Sequence, residues 1–259
     1  MSTILKNLRI KNSSIGGFLS PMDLNPAAAF IENNAVYLRA SDGTRTHEQT
    51  DDVGTIGIPE TYVSGAYKRQ IVHTSAFNLS SYSSFSDILH KNYALSNSAY
   101  NFLHNGTGGA FIVIFKLASP EILQLDGIFS TARVGVVGAG AGLFMNAFSP
   151  TRNLQFFIQN DTTIIFSQSF IPNDVSKFMV IGGLLSNNIR IFDGVDKKLD
   201  ANISGQSLGN AVSNLQIWGM TGISNLNGWG RALYLYDYVP DETLFLNVLS
   251  GLKQNSLGD

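Results

Sequence analysis

From about Gln70 onward, the chain consists of short apolar runs separated by turn residues. Most of these runs either alternate apolar and polar positions or are apolar throughout, which is typical of strands in an antiparallel sandwich. The predicted strands are QIVHTSAF, AFIVIFKL, GIFSTARVGVV, GLFMNAF, NLQFFIQ, TTIIFS, KFMVIGGL, NIRIFD, NLQIWG and RALYLYD, and the predicted turns are HNGTGG, SPTRN, QND, LSNN and FDGVD. The pattern predicts an all-β fold in which residues 70–239 form a two-sheet antiparallel sandwich.

The period of two also predicts which side chains are buried. In RALYLYD, Leu233 and Leu235 fall on one face of the strand, and Tyr234 and Tyr236 fall on the other. Both faces are largely apolar, so we expect this strand to be covered on both sides or to have tyrosine hydroxyls that reach water. The predicted core consists of Phe111, Val113, Phe115, Phe157, Ile165, Ile191 and Leu233.

The segment VPDETLFLNVLSGLKQ is the one convincing helix in the sequence. Pro240 suits the first helical turn, and Asp241 and Glu242 complement the positive end of the helix dipole. The apolar stripe consists of Leu244, Val248 and Leu252. We therefore expect a short C-terminal helix over residues 240–252.

Residues 1–69 show little sustained periodicity and are interpreted as an irregular N-terminal arm or wrapping segment, with the sandwich domain over residues 70–259. In LKNLRIK, Leu8 and Ile10 project to one side, so this piece could add to the sheet edge of a neighbouring subunit. Candidate assembly contacts are Leu8, Ile10, Phe18, Leu19 and Met22. The alternative is that the arm wraps its own domain as an extra edge strand.

The glycine-rich stretch VGVVGAGAGLF raises the question of a nucleotide site. Gly138 and Gly140 could be the first two glycines of a dinucleotide-binding turn, but the third position is Leu143. The residues that follow alternate apolar and polar side chains and reach Pro150, which predicts a strand and a turn instead of the required helix. Asp161 stands where a ribose-binding acid would be expected, yet the crossover helix before it is missing. We therefore expect no nucleotide cofactor.

Composition narrows the class of partner. The formal net charge is -2 and charged residues make up 14% of 259 residues, so the sequence offers no basic surface for nucleic acid or an anionic membrane. There is no cysteine, which excludes disulfides and thiolate zinc. The N-terminus lacks the apolar core of a signal peptide, and no apolar run is long enough to insert into a membrane. We expect synthesis in the cytoplasm.

The order of these segments resembles the concanavalin A-like lectin/glucanase superfamily, in particular its laminin-G-like jelly rolls. The resemblance covers roughly residues 70–257, runs from FLHNGTGGAFIVIFKL through KFMVIGGLLSNNIRIFDGVDKKLD, and is most specific in LNGWGRALYLYDYVPDETLFLNVLSGLK. Val239 departs from it, since a capping Ser or Asp is usual there. The resemblance implies a jelly-roll sandwich and raises the questions of glycosidase activity, calcium and sugar binding.

The sequence does not carry the expected catalytic acids. Retaining glucanases of the superfamily need two carboxylates close together on one strand. None of the five glutamates has that spacing: Glu32, Glu48, Glu60, Glu121 and Glu242. The four histidines are scattered as well, so a metal site built from them would need distant segments to converge: His47, His73, His90 and His104. We expect no enzymatic activity.

Two binding chemistries stay open. Asp193, Asp196 and Asp200 in IFDGVDKKLD are candidate calcium ligands, although Asp-Gly is also what a hairpin turn requires; the default expectation is no cofactor. A sugar site would combine an exposed aromatic ring with amide side chains. The candidates for it lie in and next to the loop GISNLNGWG: Trp218, Asn225, Asn227 and Trp229.

These expectations favour a non-enzymatic structural or adhesion component of a phage virion, such as a capsid decoration, head fibre or tail-associated protein, with a lectin-like jelly roll. Its partners would be other virion proteins, further copies of the chain and host surface glycans. The alternative is a carbohydrate-binding module of a bacterial assembly. Glycan binding by the isolated protein would favour the alternative.

Overall fold

The chain folds into two antiparallel sheets and a C-terminal helix. The computed structural model describes residues 19, 21–31, 35–39, 45–49, 77–78, 91–93, 97–117, 126–132, 138–146, 153–160, 163–206, 209, 215–217 and 228–256. Besides the sheets and the helix, these residues form short 3-10 turns at Pro21–Leu24 and Asn97–Leu103. The predicted all-β, two-sheet sandwich with a short C-terminal helix is confirmed.

The strands are numbered along the chain and divide into a larger and a smaller sheet. The larger sheet contains β1 (Ala28–Ile31), β2 (Ala35–Arg39), β3 (Arg45–Gln49), β4 (Phe77–Asn78), β6 (Gly109–Leu117), β11 (Met179–Leu185), β12 (Asn188–Asp193), β13 (Asp196–Asn202) and β15 (Gly228–Tyr236). The smaller sheet contains β5 (Lys91–Tyr93), β7 (Asp126–Ser130), β8 (Gly140–Asn146), β9 (Asn153–Gln159), β10 (Ile164–Phe170) and β14 (Leu215–Ile217).

Strand order follows from the pairing of these elements. The larger sheet runs β13-β12-β11-β6-β15-β1-β2-β3, with β4 also paired to β15, and the smaller sheet runs β10-β9-β8-β7-β14-β5. β6 and β15 therefore lie in the interior of the larger sheet, where both of their faces can be buried. At one end of the smaller sheet, β8, β9 and β10 are consecutive neighbours joined by short connections.

The main core lies between the two sheets. Phe111, Val113 and Phe115 of β6 point into it on alternate positions, together with Ile191 and Leu233, and all five are fully buried, as predicted. Phe111 contacts the rings of Phe129 and Phe156 from the opposite sheet at centroid distances of 4.9 and 5.6 Å. Aromatic contacts of this kind join the two layers.

Two of the predicted core residues have a different environment. Phe157 is buried but stands on the other face of β9, because Leu154, Phe156 and Ile158 are the residues of that strand in the inter-sheet core. Ile165 is only half-buried. The pairing of β10 with β9 shifts register between Ile164 and Phe166, so the inward position belongs to Phe166, which is 6% exposed.

A second apolar layer covers the outer face of the larger sheet. Leu233 and Leu235 belong to the inter-sheet core, whereas Tyr234 and Tyr236 belong to the cluster under the C-terminal helix, so β15 is covered on both sides, as expected. The Tyr236 hydroxyl donates a hydrogen bond to the carbonyl oxygen of Pro21 over 3.0 Å. Burial raises the pKa of Tyr234 to about 12.

The helix α1 spans Glu242–Ser256, so its predicted start at Pro240 is two residues early and its predicted end is four residues early. Asp241 is the N-cap, because its Oδ1 accepts the backbone N–H groups of Thr243 and Leu244 over 2.9 and 3.1 Å. The predicted apolar stripe is wrong at Leu244, which is 47% exposed. The inward positions are Phe245, Val248 and Leu249, with Leu252 packed beside them.

The described part of residues 1–69 is more regular than the sequence pattern suggests. β1 lies between β15 and β2, with Ala28 opposite Leu235 and Ile31 opposite Ala232, and β3 follows β2. Leu19 donates its backbone N–H to Oδ1 of Asn247 on α1 over 2.7 Å and packs against the cluster under the helix. β1, β2 and β3 thus extend the larger sheet beyond β15.

The other assembly candidates give less information. Met22 belongs to the turn Pro21–Leu24, and Leu8, Ile10 and Phe18 lie outside the described residues. The assembly role of the arm stays a prediction.

Candidate functional site

The outward face of β8, β9 and β10 carries a group of uncharged polar side chains beside an aromatic ring. Leu154, Phe156 and Ile158 of β9 point into the core, which leaves the intervening positions of β9 pointing outward. Strand register places Gln155 between Phe144 of β8 and Ser169 of β10. We call this surface the amide face, defined by Phe144, Asn146, Gln155, Ser167 and Ser169.

A continuous hydrogen-bonded chain crosses the amide face. The Asn146 side chain donates from Nδ2 to Oε1 of Gln155 over 2.8 Å, and Gln155 donates from Nε2 to the hydroxyl oxygen of Ser167. The three residues come from three neighbouring strands, and Gln155 stands in the middle. Because Gln155 is held from both sides, its amide plane is oriented by the sheet before any ligand arrives.

Phe144 supplies the aromatic component. Its side chain is half-buried, and its ring meets Phe157 edge to face at a centroid distance of 5.8 Å and an interplanar angle of 62°. Phe157 itself is only 4% exposed and lies across Gly142, where an added Cβ would stand 2.7 Å from the ring. The glycine therefore makes room for Phe157, which in turn supports Phe144.

This packing also explains the glycine-rich stretch. Residues 140–146 form β8, a strand as predicted, and no helix follows within the described residues that come next. A Cβ at Gly140 would stand 2.6 Å from the Cβ of Ala132, because the bend at residues 131–132 lies against β8, where Thr131 donates its backbone N–H to the carbonyl oxygen of Ala141 over 2.9 Å. The side chains of Ser130 and Thr131 hold that bend through hydrogen bonds to the backbone of Ala132 and Ala141. Because of this bend, β7 ends at Ser130, whereas the sequence predicted a longer strand over GIFSTARVGVV. The glycines serve close packing.

The described side chains of the amide face carry no formal charge. Four ion pairs of the described residues lie elsewhere: Lys197 with Asp200, Lys177 with Asp174, Lys253 with Asp193, and Arg190 on β12 with Glu242 on α1. The described outward side chains next to Gln155 are therefore polar or aromatic and uncharged.

The candidate calcium ligands are held by other partners. Asp193 accepts the backbone N–H of Asn173 over 2.6 Å, and Asp196 accepts the side-chain amide of Asn173 over 2.7 Å. Asp200 accepts the Lys197 ammonium over 2.7 Å. Among the residues that the structure describes, no group of three or more acidic or histidine side chains could hold a metal ion. The three aspartates therefore stabilise the β12–β13 hairpin and its surroundings.

The glycan-binding candidates from the sequence are not brought together in the described structure. Trp218, Asn225 and Asn227 lie outside the described residues. Trp229 belongs to β15, opposite Asn78 of β4 and Lys116 of β6, and its side chain lies outside the described part. Their role stays a prediction.

The amide face was missed by the sequence reasoning, although a signal was present. NLQFFIQ and IIFSQSF place Gln155, Ser167 and Ser169 at alternate positions of adjacent strands. Outward polar residues are ordinary on a sandwich, so the alternation alone could not distinguish a binding surface from a solvated one. Only the register shows that Asn146, Gln155 and Ser167 meet.

Comparisons with known proteins give distant structural matches. No family model and no curated protein matches the chain. The carbohydrate-binding module CBM40 of the Ruminococcus gnavus IT-sialidase, bound to α2,3-sialyllactose, is similar with a TM-score of 0.44 and 11% identity over 55% of this chain and 82% of that one. The receptor-binding domain of the botulinum neurotoxin C/D mosaic serotype is similar with a TM-score of 0.45 and 10% identity, over 59% of this chain and 37% of that one.

A third match is the NanB sialidase of Streptococcus pneumoniae, as its K499G mutant, with a TM-score of 0.42 and 10% identity over 58% of this chain and 25% of that one. The chain thus spans only a small part of the sialidase and of the toxin domain. The fold is a two-sheet antiparallel β-sandwich, and matches at this distance assign neither a site residue nor a ligand to it. Within the described residues, no helix is both long and apolar enough to cross a membrane.

Proposed function

We propose that this protein is a non-enzymatic carbohydrate-binding module that holds glycans on the amide face. The observation that carries the proposal is the hydrogen-bonded chain from Asn146 through Gln155 to Ser167, with Phe144 beside it. Sugar sites pair an aromatic ring with a few oriented polar groups. A pyranose ring complements such a site, because its C–H face can pack on the aromatic ring and its hydroxyl groups can bind the polar side chains.

The chemistry of Gln155 supports this role. An amide side chain has two N–H donors and two oxygen lone pairs, and the bonds to Asn146 and Ser167 use one of each. The remaining N–H and lone pair can bind a hydroxyl group that both accepts and donates. Since the sheet already fixes the amide, binding costs less side-chain entropy than at a mobile glutamine.

The proposal is a binding function without chemistry. It suits the adhesion domain of a virion as well as a module of a bacterial assembly, since either would display the same surface. The assignment to a virion and the synthesis in the cytoplasm both stay predictions, because the amide face tests neither of them.

Replacement of the central glutamine tests the proposal. The full chain is screened on a glycan array, and the affinity for each captured glycan is measured by titration calorimetry for wild type, Gln155→Leu and Gln168→Leu. We expect Gln155→Leu to raise the dissociation constant roughly tenfold. Each lost hydrogen bond contributes about 0.5–1.5 kcal/mol, and about 1.4 kcal/mol in total corresponds to a factor of ten.

Gln168→Leu is the matched control. Gln168 is exposed on the same sheet, but it stands opposite Phe156 and so faces away from the amide face. We expect it to bind as wild type does. Equal loss in both variants, or a chain that captures no glycan on the array, contradicts the proposal.

A further inference from the structure

The amide face also bears on the class of glycan, an inference that rests on the proposed function. We propose that the amide face selects neutral oligosaccharide chains and rejects sugars that carry a carboxylate. The argument uses the charge of the surface, the hydrogen-bonding groups that it presents and its extent across the sheet.

Charge is the first argument. The outward positions that surround Gln155 on the three strands are Phe144, Asn146, Ser167 and Ser169, together with Asn153, Phe157 and Gln159, and none of them is ionisable. Recognition of a carboxylate relies on charge-assisted bonds, most often from arginine. Three of the described cations, Lys177, Lys197 and Lys253, are in ion pairs with Asp174, Asp200 and Asp193, and a fourth, Lys198, donates to Oδ1 of Asn173.

The neutral donors and acceptors of the surface strengthen the selection. The remaining N–H of Gln155 and the hydroxyl of Ser167 are neutral donors, so a carboxylate would bind them without the charge assistance that a cation provides. The lone pairs of the same groups accept hydroxyl hydrogens, which a carboxylate does not have. A carboxylate placed beside the Phe144 ring would lose hydration without gaining a cationic partner. A neutral sugar meets no such cost, since each hydroxyl group can rotate to donate or accept.

Extent is the third argument. β8 and β10 are two strand spacings apart, about 10 Å, and the hydrogen-bonded chain joins them through Gln155. A surface of that width accommodates more than one sugar ring. We infer that the ligand is a segment of a neutral chain that lies across the strands, with one ring against Phe144.

The test compares neutral with acidic probes on the same protein. Titration calorimetry is carried out with cellotetraose, xylotetraose and galactotetraose as neutral probes, and with 3′-sialyllactose and tetragalacturonate as acidic probes. We expect at least one neutral probe to bind at least tenfold more tightly than either acidic probe. We also expect Gln155→Leu to bind that neutral probe roughly tenfold more weakly than wild type does.

A charge-introducing variant sharpens the comparison. Ser169 is exposed and lies opposite Gln155, so Ser169→Arg places a cation on the amide face. We expect Ser169→Arg to narrow or reverse the preference for neutral probes by strengthening the binding of the acidic ones. Val195→Arg, at a 49% exposed position in the β12–β13 turn, is the control and leaves the preference unchanged.

The outcomes separate the two proposals. Tighter binding of an acidic probe that depends on Gln155 overturns the selection for neutral chains and leaves the binding function standing. Binding of a neutral probe that is insensitive to both Gln155→Leu and Ser169→Arg overturns the role of the amide face. If none of the five probes binds and the protein captures no glycan on the array, both proposals are wrong.

Discussion

His104 is a buried residue whose ionisation is coupled to folding. It is 2% exposed and borders a cavity of about 10 Å³, whose other lining residues carry no charge: Phe102, Leu103, Gly106, Ile158, Leu185, Ser186 and Ile203. Burial lowers the pKa of His104 to about 4, and the nearby backbone of Gly209 opposes the shift. Within the described residues, neither ring nitrogen makes a hydrogen bond of good geometry.

This pKa predicts a loss of stability in acid. The native state favours the neutral ring, whereas the unfolded chain has the ordinary pKa of 6.5 and binds the proton more readily. Stability is therefore fully present above about pH 6.5 and falls as the pH drops toward 4, by at most about 3 kcal/mol. Urea unfolding between pH 7.5 and 4 measures it. A pH dependence that is unchanged in His104→Leu would show that another group is responsible.

At the scale of single residues, the sequence predicted side-chain direction where the strands are regular. Phe111, Val113 and Phe115 occupy the core because β6 keeps an uninterrupted period of two. Ile165 does not, because the bulge between Ile164 and Phe166 shifts the period by one position. Nothing in the letters IIFSQSF marks such a bulge, since it is set by pairing with β9.

At the scale of elements, the sequence pattern predicted the apolar strands but not the polar ones. β6, β9 and β12 were predicted nearly to the residue. β13 reads DKKLDAN and was missed, because it forms the outermost strand of the larger sheet and its charged residues can stay in water. Charges are a usual feature of edge strands. β1 was missed because four residues are too few to show a period.

The cap of α1 gives a prediction at this scale. Asp241 satisfies the N–H groups of Thr243 and Leu244, so Asp241→Ala leaves both groups without this partner. We expect Asp241→Ala to lower the free energy of unfolding by about 1 kcal/mol, while Asp241→Asn, an equally good cap, retains most of the stability. Denaturant melts of the two variants measure the difference. Equal losses would mean that charge, and not capping, stabilises this end.

At the scale of the whole molecule, the sandwich and its helix followed from the order of elements, but the candidate site did not. Asn146, Gln155 and Ser167 are separated in sequence and come together only because β8, β9 and β10 pair in one register. That register depends on the burial of Phe156 and its neighbours against the opposite sheet. Long-range packing of this kind is not visible in local spacing.

Solution NMR of the side-chain amides tests the central claim most directly. Resonances of Asn146, Gln155 and Gln168 are assigned from their variants and followed while a neutral tetrasaccharide that the chain binds is titrated in. The account predicts that the Asn146 and Gln155 amide signals shift with a common dissociation constant while the Gln168 signal stays in place. Saturable binding that leaves the Asn146 and Gln155 signals unmoved would contradict it.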